Sequence, residues 1–235
     1  MRAKIDGSFQ TYFKAILALA ITICMVRLYE YFSIAAKSFV NRTFYFELAG
    51  LVYDIWACLF YSLVFGFLFL LLTAITKRLA TGFLHIMNTL FIIIYLSLIV
   101  VFSERNAPFD HEFFTRNAAD TWLTAKQMMT TGFSLYVPFI AYTALYFVFY
   151  YLVFKRTFLS QRFFMAAISC SVLSVVFIQF SSPPERWFKQ TAAYYLTSNK
   201  FSFWVADSYR YFQTKNKFDA GKLTEKELKN ENNFY

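Results

Sequence analysis

The chain has 235 residues, of which 58% are hydrophobic, 23% aromatic and 16% charged. Soluble domains are about half apolar and about a quarter charged, and a chain with 32 Phe and 17 Tyr cannot hide its apolar surface in one aqueous core. A soluble fold is thereby excluded, and the formal charge of +9 falls largely in short loops beside apolar runs, where it reads as a topology signal and not as a nucleic-acid surface.

Glycine is scarce and the apolar runs lack turn residues, which favours helices over a barrel. A helix satisfies its own backbone hydrogen bonds in lipid, and an open strand does not. The expected fold is all-α: an integral membrane bundle of five transmembrane helices with extracytoplasmic amphipathic helices at the interface. A span needs roughly 20 mostly apolar residues. In chain order the spans are 13–34, 46–75, 83–102, 133–154 and 163–180, the last being the shortest. The first run has no small-residue cleavage site after it and reads as an uncleaved span. Cys24, Cys58 and Cys170 all lie inside apolar runs without metal-type spacing, so they read as small buried residues. Pro183 and Pro184 end the fifth run, because proline cannot continue the backbone ladder.

Arg2, Lys4 and Lys14, then Lys77 and Arg78, then Lys155, Arg156 and Arg162 supply cations with little acidic opposition. These alternate connections share one side, which makes the N-terminus cytoplasmic. Five spans then put the C-terminus on the outer, non-cytoplasmic side. The connection 102–126 falls on the same outer face and is dense in ionisable groups: Asp110, His111, Glu112, Arg116, Asp120 and Lys126. It reads either as a solvated loop or as a platform over the bundle. Consecutive Asp110, His111 and Glu112 do not share a helical face, so no metal site is expected there.

Residues 181–215 are rich in aromatics, among them Trp187, Trp204, Tyr209 and Phe212. Phe201, Trp204, Val205, Ser208 and Phe212 recur at helical spacing, with Lys200, Asp207, Arg210 and Lys215 between them. The pattern predicts amphipathic helices lying in the headgroup region, with Trp and Tyr at the wet edge. Residues 216–235 read as a polar linker. The domain plan is therefore a bundle over 1–180, interfacial helices over 181–215 and a linker over 216–235.

Ionisable groups inside a span are costly and ask for partners. Arg27 and Glu30 are three apart on the first span, and Glu47, Gly50 and Asp54 share a face of the second. Depth matching predicts an Arg27–Asp54 pair with Glu30 and Glu47 above it, and Gly50 lets another helix approach. Two readings stand side by side. The cluster fixes helix register, or it lines an outward polar pocket for a phospholipid headgroup, for which arginine's forked donors suit phosphate. No phosphate loop, dinucleotide fingerprint, zinc helix motif or nucleophile elbow is present.

Three polar phrases carry a resemblance: ELAGLVYD at 47–54, PFDHEFFTRNAADTWLTAKQMMTTGF at 108–133 and NKFSFWVADSYRYF at 199–212. With the five-span plan, they resemble the N-terminal membrane domain of lipoteichoic acid synthase-like proteins. These belong to the alkaline phosphatase/sulfatase superfamily, and the phrases resemble its Bacteroidetes-type branch. The resemblance covers essentially the whole chain. It implies an extracytoplasmic sulfatase-like catalytic domain, in cis or split in trans, that transfers phosphoglycerol or phosphoethanolamine or hydrolyses an ester. A manganese, magnesium or zinc ion would serve a threonine nucleophile in that domain. No catalytic or metal-ligating residue of the family maps onto this chain, so no cofactor and no turnover are expected from it alone, and it reads as truncated or as one part of a split enzyme. The alternative class is a stand-alone polytopic subunit or scaffold of an envelope complex. A transporter is disfavoured by the odd span number and the lack of an inverted repeat.

Overall fold

The structure, a computed structural model, describes residues 2–35, 43–105, 107–111, 136–156, 169, 172 and 182–219. Among the described residues it is all-helical with no strand. The long helices are α1 (Arg2–Ala35), α2 (Thr43–Ile75), α3 (Lys77–Arg105) and α4 (Tyr136–Arg156). A 3-10 turn (Glu185–Trp187) precedes the short α5 (Thr191–Thr197) and then α6 (Lys200–Asp219). Among the described residues four helices are long and apolar enough to cross a membrane: Ser8–Ile34, Phe44–Ile75, Lys77–Arg105 and Tyr136–Val153. At 1.5 Å per residue, α1 to α3 are about 44–51 Å long, well beyond a hydrocarbon core of about 30 Å, so each tilts or projects.

Side-chain pairs give the directions. Tyr12 meets Phe69 near one end of the bundle, and Arg27 meets Glu47 and Asp54 near the other, so α1 and α2 are antiparallel. Asp54 meets Tyr95, and Tyr61 meets Phe91, so α2 and α3 are antiparallel too. Only Thr76 separates them. Its backbone N–H donates to Leu72 O, and its side-chain Oγ1 accepts from the N–H of Leu79 at 3.3 Å, capping the first turn of α3. The α4 helix passes Tyr29 with Tyr142 and reaches His85 with Tyr150, so it runs antiparallel to α3.

The core lies where α1, α2, α3 and α4 converge, around Leu19, Ile23, Val26, Cys58, Tyr61, Ile92, Tyr95, Ile99 and Tyr146. A smaller cluster of Ala15, Phe69, Ala80 and Leu84 closes the end near the α2–α3 junction. Alanines at 15 and 18 let α1 approach its neighbours closely. The outward faces stay apolar: Val52, Phe67, Ile75, Ile86, Ile140 and Tyr151 are all exposed. Water would not support so large an apolar surface, and lipid does. At the end nearest the α2–α3 junction, the Tyr146 hydroxyl lies 2.8 Å from His85 Nδ1 and receives a 2.9 Å hydrogen bond from Asn88 Nδ2.

Two boundaries move. The α1 helix begins at Arg2 and not near residue 13, so Lys14, counted above with the N-terminal cations, sits buried on the helix. The α3 helix begins at Lys77, which makes Lys77 and Arg78 its first turn. The expected fifth span, 163–180, lies outside the described residues apart from Ser169 and Val172, both helical and exposed. The expected linker lies almost wholly outside them as well.

Candidate functional site

The four ionisable groups singled out on the first two spans come together. Arg27 and Glu30 lie one turn apart on α1, so their side chains stack on one face, with Arg27 Nη1 donating to Glu30 Oε2 at 2.8 Å. Arg27 Nε lies 2.9 Å from Glu47 Oε2 and 3.4 Å from Asp54 Oδ2, both on α2. The Nε–H is aimed at the backbone carbonyl of Glu47, 3.3 Å away. None of these residues is more than 3% exposed. Gly50 completes the arrangement by its lack of a side chain. A Cβ built there would overlap the Arg27 guanidinium, so the expected close approach is that of an arginine and not of a helix backbone.

The cluster has further members. Tyr95 on α3 donates to Asp54 Oδ1 at 2.7 Å. The turn between α5 and α6 folds down onto the ends of α1 and α2, and Leu196, Thr197, Ser198, Asn199 and Lys200 are all essentially inaccessible. Asn199 acts in two directions. Its Oδ1 accepts from the N–H of Ser202 at 2.7 Å, capping α6, and its Nδ2 donates to Asp54 Oδ1 at 2.7 Å. Lys200 Nζ sits 2.6 Å from Glu30 Oε1 and donates to the carbonyls of Tyr195, Leu196 and Ser198. It also lies 4.4 Å from the centre of the Phe102 ring. Arg27 Nη2 donates to Leu196 O at 2.7 Å. Two cations thus converge on the carbonyl end of α5, the end that favours positive charge. Burial pushes the Lys200 ammonium below the usual lysine range, and Glu30 opposes that push.

The network joins α1, α2, α3 and the 196–200 turn at one point, about 170 residues apart in sequence for Arg27 and Leu196. It is a fastening between the bundle and the segment after it. The sequence reading placed Lys200 and Asp207 among the polar groups of a headgroup-level helix, and the structure buries both. It missed Tyr95, which is hidden in an apolar run, and Asn199. A polar Ser-Asn-Lys step between two aromatic helices is a legible cap signal, but its docking partner is not local.

The 107–111 segment docks on α6. Asp207 Oδ2 accepts from the His111 backbone N–H at 2.7 Å and lies 2.8 Å from His111 Nδ1. A carboxylate is an acceptor, so this geometry places the proton on Nδ1. The His111 ring stacks on Tyr211 with centroids 5.0 Å apart. Asp110 is half-buried beside it. Glu112, Arg116, Asp120 and Lys126 lie outside the described residues.

The aromatic set is divided. The expected single face of Phe201, Trp204, Val205, Ser208 and Phe212 splits across α6. Phe201 packs on Phe91 of α3 at 5.2 Å, and Trp204, Ser208 and Tyr211 continue that partly covered side. Val205, Tyr209 and Phe212, spaced four and three apart, are exposed. The reason is Asn199 and Lys200, which fix the rotation of α6 through their ties to Asp54 and Glu30. Trp187 is exposed on its 3-10 turn.

Among the described residues no group of three or more His, Cys, Asp or Glu is arranged to hold a metal. Comparison with family models, curated proteins and solved structures finds no match.

Proposed function

We propose that this chain is the membrane anchor and positioning platform of a lipoteichoic acid synthase-like envelope protein. In this reading the N-terminus is cytoplasmic, the bundle crosses the inner membrane five times, and the Arg27 cluster lies at the outer end. The observation that carries it is the fastening itself. Arg27, Glu30 and Asp54 hold Leu196, Asn199 and Lys200, so α6 leaves the bundle in a fixed direction. A bundle that needed only to span a membrane has no use for a buried ionic clamp on the segment that follows. A platform that aims an external domain at lipid does.

Phospholipid headgroups in this reading meet the exposed Trp187, Tyr209 and Phe212. A phosphate at the Arg27 cluster would have to displace the 196–200 turn, because Arg27 already holds Glu30 and Leu196 O and lies against Glu47 and Asp54. Any divalent metal belongs to the external domain, since Asp54 and Glu30 are engaged by Tyr95, Asn199, Arg27 and Lys200.

The test is to purify the native polypeptide from its own membranes and measure its intact mass together with phosphodiesterase and sulfatase activity. The expected result is a polypeptide, or a tight complex, that carries a metal-dependent phosphotransferase or esterase domain. A native species of 27.7 kDa that purifies without such an activity overturns the proposal and favours a stand-alone subunit.

A further inference from the structure

The three carboxylates of the cluster are not equivalent. Asp54 Oδ1 receives two hydrogen bonds, from Tyr95 and Asn199. Glu30 receives Arg27 Nη1 on one oxygen and faces Lys200 Nζ at 2.6 Å on the other. Glu47 receives no hydrogen bond on either oxygen among the described residues. Its Oε2 lies 2.9 Å from Arg27 Nε, but that N–H points at the Glu47 backbone carbonyl, and Oε1 has no ionic partner among the described residues. Yet the residue is only 3% exposed.

The charges do not balance either. Arg27 and Lys200 face Glu30, Glu47 and Asp54, so two cations meet three acids. Loss of the Lys200 proton would only enlarge the excess. Arg27 on α1 lies directly against Glu47, and the other charged groups around it are Glu30 on α1, Asp54 on α2 and Lys200 on α6, with Tyr95 of α3 held on Asp54 and the Leu196 carbonyl of α5 held on Arg27. A buried ionised oxygen without a donor is far costlier than a neutral hydroxyl in the same place.

We propose that Glu47 is a buried proton-binding site, carrying one proton for the cluster as a neutral carboxylic acid. The proton removes the excess negative charge. It sits on the one carboxyl group of the three that accepts no hydrogen bond among the described residues. This inference does not depend on the platform reading, since it concerns the cluster whatever follows α6. Ionisable groups buried inside a membrane bundle commonly mark proton-handling sites.

Infrared spectroscopy of the full chain in lipid nanodiscs at neutral pH tests this. The wild type is expected to show the carbonyl stretch of a protonated carboxylic acid, shifted in heavy water and shifted again by 13C-labelled glutamate. Glu47→Gln is expected to lose the band. Should that variant not fold, Glu47→Asp keeps an acid in place, and its band is expected to respond to labelled aspartate instead of glutamate. A wild type without the band, a band insensitive to labelled glutamate, or a band that survives in Glu47→Gln overturns the proposal. So does a Glu47→Asp band that still follows labelled glutamate.

Discussion

Arg27 reaches partners on three elements at once because residue 50 has no side chain. Its guanidinium lies across the α2 backbone where any Cβ would stand. Gly50→Ala pushes against a group held by Glu30 and Leu196 O, so the usual escape of a flexible side chain is closed. Overpacking of this kind costs about 1–3 kcal/mol. Arg27→Ala is expected to cost more, about 3–5 kcal/mol, because it leaves buried carboxylates without their counter-charge. Denaturant unfolding in detergent ranks the two, and a Gly50→Ala variant indistinguishable from wild type would show that the guanidinium moves freely. Asn199 offers a sharper contrast. Asn199→Ala loses the α6 cap and the bond to Asp54, a loss of about 1–3 kcal/mol. Asn199→Asp retains a capping oxygen but sets a second carboxylate against Asp54 Oδ1, and is expected to be the worse of the two in the same unfolding series. Equal losses would mean that the cap, and not the Asp54 contact, is what matters.

At the scale of elements, α6 is held by two independent grips. One is the Asn199–Lys200 turn in the cluster. The other is Asp207, which receives the backbone N–H and approaches Nδ1 of His111. The second is testable by a double-mutant cycle with His111→Ala and Asp207→Ala, read as hydrogen-exchange protection of α6. A coupling of about 0.5–3 kcal/mol is expected for residues in direct contact, and additive effects would show that Asp207 acts through the His111 backbone N–H, which His111→Ala keeps, and not through the ring. The long helices were legible because lipid demands long apolar runs, and that signal is strong within a single sequence. The Arg27, Glu30, Glu47 and Asp54 grouping was also legible, since intramembrane charges must find each other and depth can be counted from helix rise. What was not legible was the clamp's other half. Lys200 and Asp207 look like ordinary polar residues on an amphipathic helix, and only the long-range docking of the 196–200 turn buries them. The rotation of α6 was misread for the same reason: helical periodicity gives candidate faces, but the contacts to Asp54 and Phe91 choose among them.

For the whole molecule, the two ends of the bundle differ in a way that bears on sidedness. One end holds the α2–α3 junction with Lys77 and Arg78, and Lys155 near the close of α4. Cations in the first turn of α3 work against the helix dipole, so their placement is not a matter of helix stability, and the proposed topology makes this end the cytoplasmic boundary. The other end holds the Arg27 cluster, the 107–111 segment and the start of α6. The described chain leaves α4 near His85 and Tyr150, at the first end, and is next found continuously from Ser182, with α5 at the second. Residues 163–180, which the proposal makes a fifth span, lie between those points and outside the described residues apart from Ser169 and Val172. Single cysteines at Arg78, Ala107 and Gln213, all exposed, make this measurable with a membrane-impermeant maleimide on intact spheroplasts. Ala107→Cys and Gln213→Cys are expected to label together from outside, and Arg78→Cys only after the membrane is opened. Labelling of Gln213→Cys in step with Arg78→Cys would break the crossing count and, with it, the placement of α6 on the face that the platform requires.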